Sequence, residues 1–264
     1  FQYWLYCIGD NVHNVIIRAN STRPSRISSS GVNLHPVDPD YHRLTDVPLP
    51  LQAAALVQKV LSFHGQQIFA SVETGIARKK RLFRFAFPVI RFLSRSRFAN
   101  MAMLIAVLLG HRVFRHPEPG SKIFQYGQSQ NNILSFNRLN ACLPEAAQAL
   151  VSLNGRPASV WERMRVALDI FSIWQASGVL CRHRHARALP QLQAVIAVSA
   201  LLFYRRHPLP VGVTAVCVAS DHAPVCQSLL FIAAHSGRKT CYIQHAPVTE
   251  YFPPLSYDLA ILYD

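Results

Sequence analysis

Apolar and polar positions follow two rhythms along the chain. The first is helical. Pro48-Leu49-Pro50 opens a run in which Ala54, Leu56, Val57, Val60 and Leu61 recur at helical spacing, which predicts a helix over 52–64. Segment 76–114 keeps that spacing, and Pro88 is expected to kink or break it. Residues 140–208 also read as helices. Pro144-Glu145 begins one that should run to Leu153, where Asn154-Gly155 stops it. Ser159 and Glu162 form a capping box, and the helix they open sets Val160, Met164, Ala167, Leu168 and Phe171 on one face. The stretch 190–204 is almost wholly apolar and belongs in a core.

The second rhythm is that of buried strands. A short run at 122–126 is followed by Gly127-Gln128-Ser129-Gln130-Asn131-Asn132 and a helix over 133–139. The run 213–219 stops at Ser220-Asp221-His222, and an amphipathic stretch then ends at Gly237. A run at 241–243 stops at Gln244-His245, and a last one covers 259–263. Strand, helix and strand in this order predict an α/β fold with a parallel sheet. Near the start, clusters at 3–8 and 12–17 flank Gly9-Asp10-Asn11 and read as a hairpin, with loop over 20–50. His116-Pro117-Glu118-Pro119-Gly120 marks a break. The expected organisation is a mainly helical basic region with a short β element over 1–118, and a Rossmann-like domain over 119–264.

Composition narrows this picture. The chain has 264 residues, half of them hydrophobic and 15% charged, which is a globular composition. The six cysteines form no CxxC pair, as in a reducing compartment, and no metal site is expected. The formal net charge is +14. No acidic residue occurs between Glu73 and Glu118, or between Asp169 and Asp221, and both stretches are rich in arginine. Such fields attract nucleic acid, anionic lipid or phosphorylated substrates. In 78–97 the arginines alternate with Leu82, Phe83, Phe85, Phe87, Ile90, Phe92 and Leu93. This basic amphipathic segment can lie on an anionic membrane, or pack its aromatics inward and leave its arginines in water.

The candidate chemistry lies at the strand ends. If the strands at 213–219 and 241–243 are neighbours, Asp221, His222, Gln244 and His245 gather at the carboxyl edge of the sheet, where open α/β sheets take ligands. Asp221 can equally be a helix cap, and His222 a first-turn surface residue. His245 ends a buried strand and can donate to a phosphate or sugar oxygen or act as a general base. Glu250, in the following loop, can orient it or deprotonate a hydroxyl itself. Gly127, Ser129 and Asn131 place small polar groups at a helix N-terminus.

The stretch SDHAPVCQSLLFIAAHSGRKTCYIQHAPVTEYFPPLSYDLAILYD resembles bacterial GT-B glycosyltransferases of capsule and other surface polysaccharides. Gln244-His245-Ala246 stands where such proteins carry a Gln-His-Gly-like motif, with Ala in place of Gly. Tyr126-Gly127-Gln128-Ser129-Gln130-Asn131-Asn132 resembles the opening unit of their N-terminal domain, so the resemblance covers about residues 120–264. It implies a GT-B N-terminal-type domain that transfers a sugar or sugar-phosphate unit to a surface glycan. His245, Glu250, Asp221 and His222 would be catalytic, and Gly127, Ser129, Asn131 and Gln244 would bind substrate. The chain begins with Phe and ends at Asp264 just after an apolar run starts, so it is expected to be a fragment that is inactive alone. No cofactor is expected in it; the nucleotide-sugar donor belongs to the full-length protein. The expected partners are a glycan or lipid-linked acceptor, the nucleotide sugar and an anionic membrane, with the protein cytoplasmic and peripheral to the inner face of the plasma membrane. Two rival readings are a nucleic-acid-binding basic α/β module, which lacks any recognisable nucleic-acid motif, and a non-catalytic scaffold domain.

Overall fold

A computed structural model describes residues 15–19, 46–64, 81–110, 113–220, 222–243 and 257–263. Its strands are β1 (Val15–Ala19), β2 (Arg115–His116), β3 (Ile123–Tyr126), β4 (Val151–Leu153), β5 (Arg156–Pro157), β6 (Ala215–Val218), β7 (Lys239–Ile243) and β8 (Leu259–Tyr263). Its helices are α1 (Leu49–His64), α2 (Arg81–Leu93), α3 (Arg97–Gly110), α4 (Gln130–Ala141), α5 (Glu145–Gln148), α6 (Val160–Ala167), α7 (Ile170–Arg182), α8 (Ala188–Arg206) and α9 (Pro224–His235).

The main sheet runs β1-β8-β7-β6-β3-β4. Five of its strands, β8 to β4, are parallel, and β1 pairs antiparallel with β8 at the edge. In chain order the parallel strands give the arrangement 2-1-3-4-5, a doubly wound α/β sheet compatible with a Rossmann-like fold. Residue alternation along each strand supplies two apolar faces. Phe124, Tyr126, Val216, Val218, Tyr242 and Ala260 join the core made with α1, α3, α7, α8 and α9. Ile123, Ala215, Cys217, Cys241 and Ile261 form the other face, against Phe136, Leu139 and Leu143.

α8 lies at the centre of the larger core and packs against α1, α3, α7 and α9. It is long and apolar enough to cross a membrane by length and composition, yet 72% of that window is buried inside the protein, as in a core helix. Two of its polar side chains are tied to neighbours. Gln191 Nε2 donates to Leu180 O, and Arg205 Nη1 to Val47 O and the Gln52 amide oxygen. The first core cluster runs from Leu49 to Ala260, so helices on either side of the break at 116–120 share it.

Several elements depart from the sequence expectations. Pro88 sits inside α2, on its exposed side, where the carbonyl it frees can be hydrated. The helical run breaks instead at 94–96, where Phe85–Leu93 and Arg97–Gly110 diverge by 117°. Asn100 holds this corner, donating from Nδ2 to Ser94 O at 2.8 Å and Ser96 O at 3.0 Å. The helix expected from residue 144 to 153 stops after one turn, and Val151–Leu153 becomes the edge strand β4. The capping box at Ser159 and Glu162 is present. The helix it opens buries Arg163, Val166 and Ala167, while Val160, Leu168 and Phe171 stay exposed. Arg163 Nη1 caps the end of α3 through Leu109 O, which draws that face inward. Val15–Ala19 pairs with β8, while the first cluster and the turn of the expected hairpin, at 3–11, lie outside the described residues. The five described cysteines are free thiols, and no group of His, Cys, Asp or Glu among the described residues could hold a metal.

Candidate functional site

Strand order decides where the site lies. β3 is followed by β4 on one side, whereas β6, which returns after three further helices, adds on the other. The connections therefore diverge between β3 and β6, where Tyr126 is in register with Val218. This is a topological switch point, and in doubly wound sheets ligands bind in the crevice beyond it. Two helices, α4 and α9, begin at this edge and lie on opposite faces. Their unpaired N–H groups and dipoles favour an anionic or hydroxylated ligand.

The loop after β3 is tightly built. Gly127 N–H donates to Asn154 Oδ1 at 2.7 Å, and Asn154 N–H donates to Gln125 O at 2.7 Å. Asn154 adopts a φ of 58°, which links the end of β4 to the end of β3. Ser129 is the N-cap of α4 and accepts from Asn132 N–H at 3.2 Å. Gln125 and Asn140 exchange amide bonds of 2.8 and 2.9 Å, which fixes α4 on β3. Tyr126 is buried, donates to Val113 O at 2.8 Å and accepts from Gln128 Nε2 at 3.3 Å. Burial drives its phenol far above the usual tyrosine range, so it stays neutral. Asn132 is buried in the first turn of α4, and its Oδ1 has no hydrogen-bond partner among the described residues.

Gly127 is needed for close approach. A Cβ there would lie 2.8 Å from the Asn132 Cβ and 3.3 Å from the Phe136 ring. Gly127→Ala is expected to destabilise by about 1–3 kcal/mol and to displace the loop from the strand end. Denaturant melts of the variant measure this.

On the β6 side the strand runs into buried Ala219 and Ser220. Ser220 Oγ lies 3.4 Å from a ring nitrogen of His222. α9 begins at Pro224 with Ala223 as its N-cap and no side-chain cap bond; Gly237, at a φ of 68°, follows its end.

The expected site residues divide in two. Gly127, Ser129, Asn131 and His222 stand at the strand ends flanking the switch point. Asp221, Gln244, His245 and Glu250 lie outside the described residues. Ser129 is engaged in capping, and Asn131 is exposed with its carbonyl accepting from Ser135 Oγ. Sequence reasoning did not single out Asn132, Asn154 or Ser220 for the site. Asn154 had a signal in the Asn-Gly pair, but it suggested only a helix stop.

A second cluster of titratable groups is structural. Glu162 accepts from Ser159 N–H at 2.7 Å and from Arg156 Nη2 at 2.9 Å, and lies 3.4 Å from His116 Nε2. The Arg156 bond, aided by Ser159 and His116 against burial, holds the Glu162 carboxyl down at about 2. A depressed folded pKa stabilises above the unfolded value, near pH 4.3, and that contribution disappears as pH falls towards 2. Glu162→Gln should therefore cost about 1 kcal/mol at neutral pH and flatten the loss of stability between those limits. Melting temperatures across that acid range test it.

A cavity of about 620 Å³, lined by Arg97, Gln175, Arg182, Arg184 and His185 among others, shares no residue with the switch-point edge. Comparisons with known protein families, with curated proteins and with solved structures give no match.

Proposed function

We propose that the chain forms the acceptor-side, GT-B N-terminal-type half of a glycosyltransferase that moves a sugar or sugar-phosphate unit from a nucleotide-activated donor to a bacterial surface glycan. The observation that carries this reading is the switch point between β3 and β6, with a Gly/Ser/Asn loop on one side and Ser220 and His222 on the other. An acceptor sugar presents many hydroxyls, and such an edge offers matching donors and acceptors. For a sugar, the acceptor oxygen attacks the anomeric carbon and the bond from that carbon to the donor phosphate breaks; for a sugar-phosphate, it attacks the phosphorus next to the sugar and the anhydride bond to the nucleotide breaks; in both cases the hydroxyl proton passes to a base. In this reading His245 is that base. Glu250 orients it, and Asp221 and His222 assist. Gly127, Ser129, Asn131 and Gln244 line the acceptor, and the donor occupies the second half of the full-length enzyme.

The test is a panel of nucleotide sugars offered to the full-length protein with and without lipid-linked glycan acceptors. One donor should be consumed faster when acceptor is present. Failure of every donor to turn over would reject the reading.

A further inference from the structure

We infer that α2 and the corner after it dock the protein on the surface of an anionic phospholipid bilayer. A helix of a globular protein turns its apolar stripe inward. α2 carries a second apolar stripe on its outer side. Phe85, Val89 and Phe92, spaced four and three residues apart, are 76%, 53% and 71% exposed, while Phe87 is buried. The apolar surface continues with Leu93 at the end of α2 and, past the bend, with Phe98, which is 73% exposed and tilts against Trp174 at 5.5 Å. Exposed Arg91 and Arg95 border this stripe, and neither forms an ion pair among the described residues.

Charge decides which occupant fits. Segment 74–117, which contains α2 and α3, has no carboxylate. The cavity lined by Arg97, Arg182, Arg184 and His185 adjoins the corner, because Cys181 in its wall donates from Sγ to Arg95 O at 3.1 Å. Among the described residues no carboxylate lines it either. Arg97 is held rigid there, bonded to Trp174 O at 2.8 Å and with its guanidinium 3.7 Å from the Trp174 ring centroid. Aromatic side chains partition into the headgroup region and arginines pair with lipid phosphates, which matches an apolar stripe bordered by arginine. A nucleic acid would use the arginines but leave the aromatic stripe in water. The inference does not depend on the transferase reading.

The test is sedimentation of the full chain with vesicles of phosphatidylcholine, alone or mixed with phosphatidylglycerol. Binding should be at least about tenfold tighter to the mixed vesicles and should weaken with added salt. Phe85→Ser with Phe92→Ser, and separately Arg91→Glu with Arg95→Glu, should each weaken it about tenfold or more. Both pairs alter exposed positions, so cooperative melting should persist; Val211→Ser, at a position 94% exposed elsewhere, should leave binding unchanged. Equal binding to neutral vesicles would overturn the inference, as would wild-type binding by both paired variants. So would failure to bind vesicles with a wild-type dimer that the Phe pair dissolves, or with a DNA mobility shift; the first assigns the face to a second copy, the other to nucleic acid.

Discussion

Gly155→Ala is expected to lower the melting temperature by roughly 10 °C. Gly155 adopts a φ of 53°, in the left-handed region where an L side chain costs about 1–2 kcal/mol. Space adds a larger penalty. A Cβ at this position would sit 1.9 Å from His116 O and 2.7 Å from His116 C, both backbone atoms that cannot rotate away. The small sheet of β2 and β5 must then open, and with it the Arg115–Pro157 and His116–Arg156 pairing. Arg115 Nη1 also loses its bond to Gly155 O, 3.3 Å long, and the network around Glu162 loses its alignment. The sum is about 3–5 kcal/mol, a large share of a typical domain's stability. A melt within about 2 °C of wild type would show that the chain does not pass this close to His116.

His245→Ala is expected to reduce transfer by the full-length enzyme about 100-fold or more, with a melting temperature close to wild type. This follows from its role as the base in the proposed function; in sequence it comes two residues after the last residue of β7. β7 lies beside β6, with Val218 in register with Tyr242, so the two strands end next to each other. His222, beyond the end of β6, is expected to matter less, with His222→Ala costing about tenfold, because it positions substrate instead of taking the proton. A pH–rate profile separates the two. Loss of the base removes the acidic limb, whereas loss of a positioning group lowers the whole profile. Unchanged rates for both variants would remove both histidines from the mechanism.

The elements differed in how legible they were. α1, α8, β3, β6, β7 and β8 were read close to their observed bounds, because each carries an unbroken apolar period between turn residues. β4 was missed because three residues, Val151-Ser152-Leu153, are too few to show a period and follow a helical start at Pro144. The start of α4 was placed too late because Gln130, Asn131 and Asn132 are polar; Ser129, its cap, was the available signal. The face of α6 was misjudged because buried Arg163 reads as a surface residue until its partner at Leu109 is known. In α2 the sequence left two packings open. The structure buries Phe87 and leaves Phe85 and Phe92 exposed, a division that no periodicity fixes.

By itself the sequence determined that this is a basic α/β protein, that its strands are buried, and that polar groups stand at their carboxyl ends. These follow from local facts, namely apolar spacing, turn residues and charge. Only the tertiary structure decided which strands are neighbours. β1 meets β8 across nearly the whole chain, and β6 adds to β3 instead of to β4, which precedes it in the main sheet. Pairing between distant segments depends on how all the helices fill the two faces together, and no local pattern encodes that sum. The switch point, and with it the candidate site, exists only at that level.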